Sequence, residues 1–279
     1  MKNHIRKFFT LQVCVCDATT NLIMQKSIAE MRKTMIKVNL EKLEELEYAR
    51  NEAFKSLRTN LSFCGADIKK ILLTSCTPNE GKSTVSFYLA KALAEDGKKV
   101  VFIDADLRKS VLIGRLGAKA ENNKTIKGLS HYLTGQASLE EVLCETNIPG
   151  LMMIFSGPVT PNPTELLGNK YMETIMEVLG VRADYVIVDA PPLGSVIDAL
   201  ILTKFCDGSV MVIENNRISY HLAQNVKKQL VQGACPVLGA ILNKIDASSK
   251  GYYNGYYKKY YGRYGKYGSY GTYEKYGNS

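Results

Sequence analysis

The chain has 279 residues and a net charge of +9, enough length for one α/β domain with a sizeable core and tails. The charge sits at the ends. Residues 1–34 carry six Lys/Arg against two Asp/Glu, residues 247–279 carry six against one, and residues 35–246 hold 24 of each sign, so the basic balance says little about the core. Seven scattered cysteines and three histidines read as reduced thiols, not as a disulfide framework or a Cys/His metal centre. No apolar run reaches the ~18–20 residues a bilayer-spanning helix needs. The nearest, Phe8 to Met24, is broken by Gln12, Asp17 and Asn21 and lacks a small-residue cleavage site. The chain reads as cytosolic, with any membrane association coming through a partner or the basic ends.

Residues 1–37 have no clear period and read as an unstructured extension or a start assigned too early, with Met31 and Met35 as alternative starts. A helical period runs from Leu40 to Phe63, through Leu43, Leu46, Ala53, Leu57 and Leu61. Strand-like runs then alternate with helix-like ones. The strands expected are Ile71–Ser75, Val100–Ile103, Met152–Phe155, Tyr185–Val188, Val210–Ile213 and Val237–Leu242. The helices expected are Ser83–Glu95, Leu139–Cys144, Thr164–Leu179, Val196–Lys204 and Ser219–Val231. Short, bare hydrophobic strands between helices imply an α/β fold with a mostly parallel sheet flanked by helices. Ligands in such sheets bind at the carboxyl ends of the strands.

The first of these strands leads into Pro78-Asn79-Glu80-Gly81-Lys82-Ser83-Thr84. Strand, glycine-bearing turn, Lys-Ser and helix is the layout of a phosphate-binding P-loop. Backbone N–H groups meet the phosphates, the lysine adds positive charge and the serine hydroxyl suits Mg²⁺. Cys76 stands where the usual pattern has its first glycine. The next strands end in carboxylates: Asp104-Ala105-Asp106-Leu107-Arg108 and Asp189-Ala190-Pro191-Pro192. Such carboxylates beside a P-loop suit a metal ion bound to phosphates, although an isolated one commonly just caps a helix. The last strand runs into Asn243-Lys244-Ile245-Asp246. Here Asn243 is placed to read a nucleotide base, and Asn-Lys-x-Asp also resembles the guanine-reading motif of GTPases. Those four residues do not decide between ATP and GTP.

After Asp246 the composition changes. Eleven tyrosines follow, Tyr252, Tyr253, Tyr256, Tyr257, Tyr260, Tyr261, Tyr264, Tyr267, Tyr270, Tyr273 and Tyr276, separated mainly by glycine and lysine. With almost no aliphatics, residues 247–279 are expected to be a disordered tail. The tail suits a phosphoacceptor, a surface stacking on single-stranded nucleic acid, or a self-associating segment.

Taken in order, these parts resemble the bacterial protein-tyrosine kinases of the P-loop type, which regulate capsule and exopolysaccharide synthesis. The resemblance covers about residue 38 to the end. It rests on Pro78–Thr84 as Walker A, Asp104–Arg108 as the second aspartate motif, Asp189–Pro192 as Walker B and the tyrosine cluster. Glu52-x-x-Lys55-x-x-Arg58 resembles the family's oligomerisation helix, with lysine where the family has arginine. Ser156-Gly157-Pro158 with Pro161–Leu167 resembles a further family segment. The resemblance implies a kinase domain over 38–246 with the P-loop NTPase fold of partition and cell-division ATPases. It implies ATP and Mg²⁺ as cofactors, a ring-like homo-oligomer whose tails enter neighbouring sites, a separate transmembrane activator recruiting the chain to the inner membrane face, and a phosphotyrosine phosphatase; no specific nucleic acid is expected. The roles expected are phosphate bridging by Lys82, metal binding by Ser83, Asp106 and Asp189, acceptance of the tyrosyl proton by Asp104 (interchangeable with Asp106), base contact by Asn243, and phosphate or subunit contact by Arg108. The alternatives are a partition-type ATPase without kinase activity, whose extra signature lysine is replaced here by Thr77, or a nucleic-acid scaffold with a dead P-loop.

Overall fold

Side chains alternate along the central strands, and both sets are buried. Leu72, Val101, Ile103, Val186 and Val188 join one core cluster, while Ile71, Leu73, Val100, Phe102 and Ile187 join the other. A sheet whose two faces are both apolar must be covered on both sides. The computed structural model describes residues 35–121 and 124–245. The expected N-terminal extension up to residue 34, Asp246 and the tyrosine tail lie outside the described residues.

Nine strands form one sheet: β1 (Ile36–Leu40), β2 (Lys70–Ser75), β3 (Val100–Asp104), β4 (Ala118–Ala120), β5 (Cys144–Thr146), β6 (Leu151–Ile154), β7 (Tyr185–Asp189), β8 (Gly208–Glu214) and β9 (Val237–Asn243). Their order is β4-β1-β5-β6-β3-β7-β2-β8-β9. From β6 to β9 every pairing is parallel; β4 on β1 and β5 on β6 are antiparallel. The helices are α1 (Tyr48–Ser62), α2 (Lys82–Glu95), α3 (Leu112–Leu116), α4 (Leu129–Leu133), α5 (Leu139–Val142), α6 (Pro163–Leu167), α7 (Lys170–Arg182), α8 (Asp198–Leu202) and α9 (Tyr220–Val231).

One layer contains α2, apolar on most of its circumference, with Val85, Phe87, Leu89, Ala90 and Leu93 buried. A helix buried nearly all round needs cover on its outer side, and α1 supplies it through Phe54, Leu57 and Leu61. Phe54 stacks at 5.6 Å on Tyr88. Arg58 bonds the Ala92 carbonyl at 3.0 Å and lies 3.2 Å from Asp96, fastening α1 across the end of α2. The opposite layer holds α7 and α9, which bury Met172, Ile175, Leu179, Val226 and Leu230.

Three expectations need correction. The helix expected over Leu139–Cys144 stops at Val142, and Cys144 opens β5. The helix expected from Leu40 begins only at Tyr48, and Leu40 belongs to β1. Val38 and Leu40 alternate into the core, so a ladder on β5 satisfies them better than an isolated helical turn would. The expected helix Thr164–Leu179 is two, α6 and α7, divided at Gly168-Asn169. There the Asn169 side chain caps the second helix by accepting from the Met172 N–H at 3.0 Å.

Candidate active site

The carboxyl ends of β2, β3 and β7 lie side by side. The register sets Asp104 directly opposite Asp189, so two carboxylates share one buried strand-end position. From β2 the chain turns through the loop and enters α2 at Lys82. The turn is made by Asn79 at φ 69° and Gly81 at φ 84°. Asn79 is among the few residue types that accept the left-handed region. Cys76 is not among the positive-φ residues, so the loop does not use the freedom of the glycine it lacks there. Gly81 is constrained twice: a Cβ there would meet Asn243 Nδ2 at 2.2 Å.

The loop is tied from behind. The fully buried Glu80 accepts from the Thr77 N–H, from the Thr77 hydroxyl at 3.1 Å and from the Glu214 N–H at 2.9 Å. Asn243 Nδ2 donates to the Glu80 carbonyl at 2.8 Å. Lys244 Nζ donates to the Asn79 carbonyl at 2.7 Å and reaches Glu214 Oε2 at 3.0 Å. Asn243, read from the sequence as a base contact, thus holds the loop through its amide nitrogen. The sequence reading missed the part played by Glu80; its position inside a phosphate loop, otherwise a poor place for an acid, was the available signal.

Lys82 Nζ lies 2.7 Å from Asp189 Oδ1 and 3.2 Å from Ser83 Oγ. Lysine and aspartate are 6% and 0% exposed. The Ser86 hydroxyl sits 2.9 Å from both Asp189 Oδ1 and the Lys82 carbonyl. Asp189 Oδ2 is buried with no partner among the described residues. Asp104 accepts from the Ser110 hydroxyl and, at 3.3 Å, from the Asp106 N–H. Burial first, and Asp189 second, push the Asp104 carboxyl up to about 7, against the Ser110 bond and the Lys82 charge. Two facing carboxylates with one ammonium between them leave the site short of positive charge. Ser83 and Asp106 line the cleft above, and an orphan oxygen on Asp189 beneath them makes a set of hard oxygen donors that fits Mg²⁺. Among the described residues no cluster of three or more His, Cys, Asp or Glu can hold a metal alone; magnesium held partly by nucleotide phosphates needs none.

The cleft has a volume of about 700 Å³ and is lined by the loop from Pro78 to Thr84 except Glu80, with Asp106, Arg108, Arg115, Pro191, Pro192 and Lys244 around it. Asp106 therefore faces the cleft, and the 1% exposed Asp104 lies behind it. Arg108 turns its guanidinium onto Asp198. Of the three residues expected on an oligomer face, Glu52 and Lys55 pair with each other at 2.7 Å on the exposed side of α1. Arg58 is turned onto its own subunit.

A strand, a loop with left-handed turns, a lysine buried on a neighbouring strand-end aspartate and a parallel sheet define a P-loop nucleoside triphosphatase. Residues 68–231 match the AAA domain family. Across 210 residues the chain is 44% identical to the tyrosine-protein kinase CpsD of Streptococcus agalactiae, covering 75% of this chain and 90% of that one. Across 233 residues it is 35% identical to the tyrosine-protein kinase YwqD of Bacillus subtilis, covering 83% and 96%. The kinase domain of the Escherichia coli tyrosine kinase ETK superposes with a TM-score of 0.64 at 33% identity, over 72% of this chain and 80% of that chain. The chain belongs to the bacterial tyrosine-protein kinases. It is an enzyme of that class, which sets aside the partition-ATPase alternative. Among the described residues no helix is long and apolar enough to cross a membrane.

Proposed function

We propose that the chain transfers the γ-phosphoryl group of ATP to tyrosines 252–276 of neighbouring copies, and that the phosphorylation state of this cluster regulates capsular or exopolysaccharide synthesis. The observation that carries the reading is the Lys82–Asp189 pair beside Asp104 at the floor of a cleft lined by the phosphate loop. Phosphoryl transfer is mainly a matter of positioning and charge neutralisation. The N–H groups from Asn79 to Thr84 cradle the phosphates, and Lys82 swings its charge from Asp189 to the β- and γ-phosphates. Ser83, Asp106 and Asp189 would hold magnesium, which when bound would neutralise phosphate charge. Asp104 accepts the tyrosyl proton. For the incoming hydroxyl to donate to it, Asp104, 1% exposed and bonded by the Ser110 hydroxyl, must first be uncovered. Asn243 contacts the base through the amide oxygen left free by its bond to Glu80.

Trans-phosphorylation calls for a ring of copies, with Glu52 and Lys55 on the outer side of α1 as contacts. Each phosphate adds about −1.5 to −2 charges, so roughly three neutralise a tail that starts at +5, and further ones repel. A separate transmembrane protein activates the chain and brings it to the inner membrane face, and a phosphotyrosine phosphatase resets it. The test is incubation of the purified chain with magnesium and ATP, with magnesium and GTP, or with ATP plus EDTA, each with and without the activator's cytosolic segment. Phosphotyrosine is expected only with magnesium and ATP. GTP displacing ATP at equal concentration reverses the donor assignment, and phosphotyrosine that survives EDTA removes magnesium from the reading.

A further inference from the structure

Asp198 is a carboxylate with no exposed surface, at the start of α8. A buried carboxylate is costly unless paired and hydrogen-bonded, and here one arginine answers it. Arg108 Nε donates to Asp198 Oδ2 at 2.7 Å and Nη2 donates to Oδ1 at 2.9 Å, the two-pronged geometry that only a guanidinium offers. Thr164 closes the ring, its hydroxyl lying 2.8 Å from Asp198 Oδ1 and 2.9 Å from Arg108 Nη2. Thr164 stands in the Pro161–Leu167 segment, at the entrance to α6. Arg108 itself remains 39% exposed and lines the same cleft as Lys82 and Asp106. Its backbone N–H and that of Lys109 donate to Asp106 Oδ1 at 3.3 and 3.0 Å. Fixing the arginine therefore also fixes the turn that presents Asp106.

We propose that Asp198 and Thr164 are positioning residues: they clamp the Arg108 guanidinium at the cleft so that its charge faces the transferring phosphoryl group. A surface ion pair has no need of a fully buried partner, and a purely structural pair has no need to hold its cation against a phosphate cleft. The clamp explains both features. It joins three segments distant in sequence, the turn after β3, the entrance to α6 and the start of α8, around one charge.

The inference rests on the kinase reading, so its test has one readout that does not depend on phosphorylation. In the full chain, Asp198→Asn is expected to lower thermal stability, and Arg108→Met with Asp198→Asn is expected to restore it, because a buried pair is replaceable by neutral groups. The restored double variant is expected to lose about tenfold in its preference for ATP over ADP, the share of one charged hydrogen bond, and about 100-fold in the rate of phosphotyrosine formation. Guanidinium ion is expected to return part of both in Arg108→Ala, and nothing in Arg108→Ala with Asp198→Asn. A stable double variant with wild-type ATP preference and rate, or guanidinium rescue that ignores Asp198, overturns the clamp and leaves the kinase reading standing. A lost ATP preference in a chain whose wild type binds ATP but forms no phosphotyrosine even with its activator's cytosolic segment present supports the clamp and overturns the kinase reading.

Discussion

Lys82 and Asp189 touch at 2.7 Å with almost no access to water, so replacing the lysine has two separable effects. Lys82→Met removes the charge meant for the phosphates, and phosphotyrosine formation is expected to vanish. It also leaves Asp189 buried with the Ser86 hydroxyl as its remaining partner, which costs on the order of 3 kcal/mol. The melting temperature should fall while the transition stays cooperative. Adding Asp189→Asn should recover most of the melting temperature and none of the activity. Autophosphorylation that persists in Lys82→Met removes the phosphate-loop assignment. Gly81→Ala attacks the same loop by geometry. It needs φ 84° from an alanine and pushes a methyl group to 2.2 Å from Asn243 Nδ2. Loss of ATP binding is expected, measurable by titration with a fluorescent analogue, together with a destabilisation of about 1–3 kcal/mol. Wild-type affinity in that variant contradicts the described loop.

At the scale of elements, α1 packs on α2 and is also proposed as the assembly face, and its sequence does not separate the two. Glu52, Lys55 and Arg58 are spaced to share one broad face, yet Arg58 serves the contact with α2 while Glu52 and Lys55 make an exposed pair worth little to stability. Changing all three to alanine therefore mixes packing with assembly. If the proposed ring forms through this face, Glu52→Ala with Lys55→Ala should leave the melting temperature unchanged, shift the protein to monomers by light scattering and reduce tail phosphorylation. An unchanged oligomer moves the interface elsewhere. The central strands were legible because they are bare apolar runs buried on both faces, and the residues proposed for the site could be marked because Asp104 and Asp189 end such runs, Asp106 follows one closely and Lys82 closes the loop after another. The short β4 and β5 were not. At three residues each, they owe their conformation to the neighbouring edge rather than to any period of their own. Ser86, Ser110 and Asp198 were missed for a related reason. Their roles arise from segments brought together by the sheet, and no local spacing signals such a meeting.

The whole molecule is a cleft built from the central strands, followed in sequence by a segment of different composition. Asn243 and Lys244, close to the end of the described residues, are bonded to the phosphate loop itself. Among the described residues, those around the cleft run from Lys42 to Lys244. Removal of residues 251–279 should therefore leave ATP affinity unchanged and eliminate nearly all phosphotyrosine. Loss of ATP binding on truncation contradicts this division between cleft and acceptor.

The central claim is that the cleft phosphorylates the tyrosine cluster of this same chain. The measurement that meets it most directly is residue-by-residue mapping of phosphotyrosine by mass spectrometry, after incubation of the purified full chain with magnesium and ATP beside the Lys82→Met variant. Modification at positions between Tyr252 and Tyr276 in the wild type, with none in the variant, is the predicted result. Phosphotyrosine found mainly at Tyr48, Tyr88, Tyr132, Tyr171, Tyr185 or Tyr220, or equally in both proteins, contradicts it.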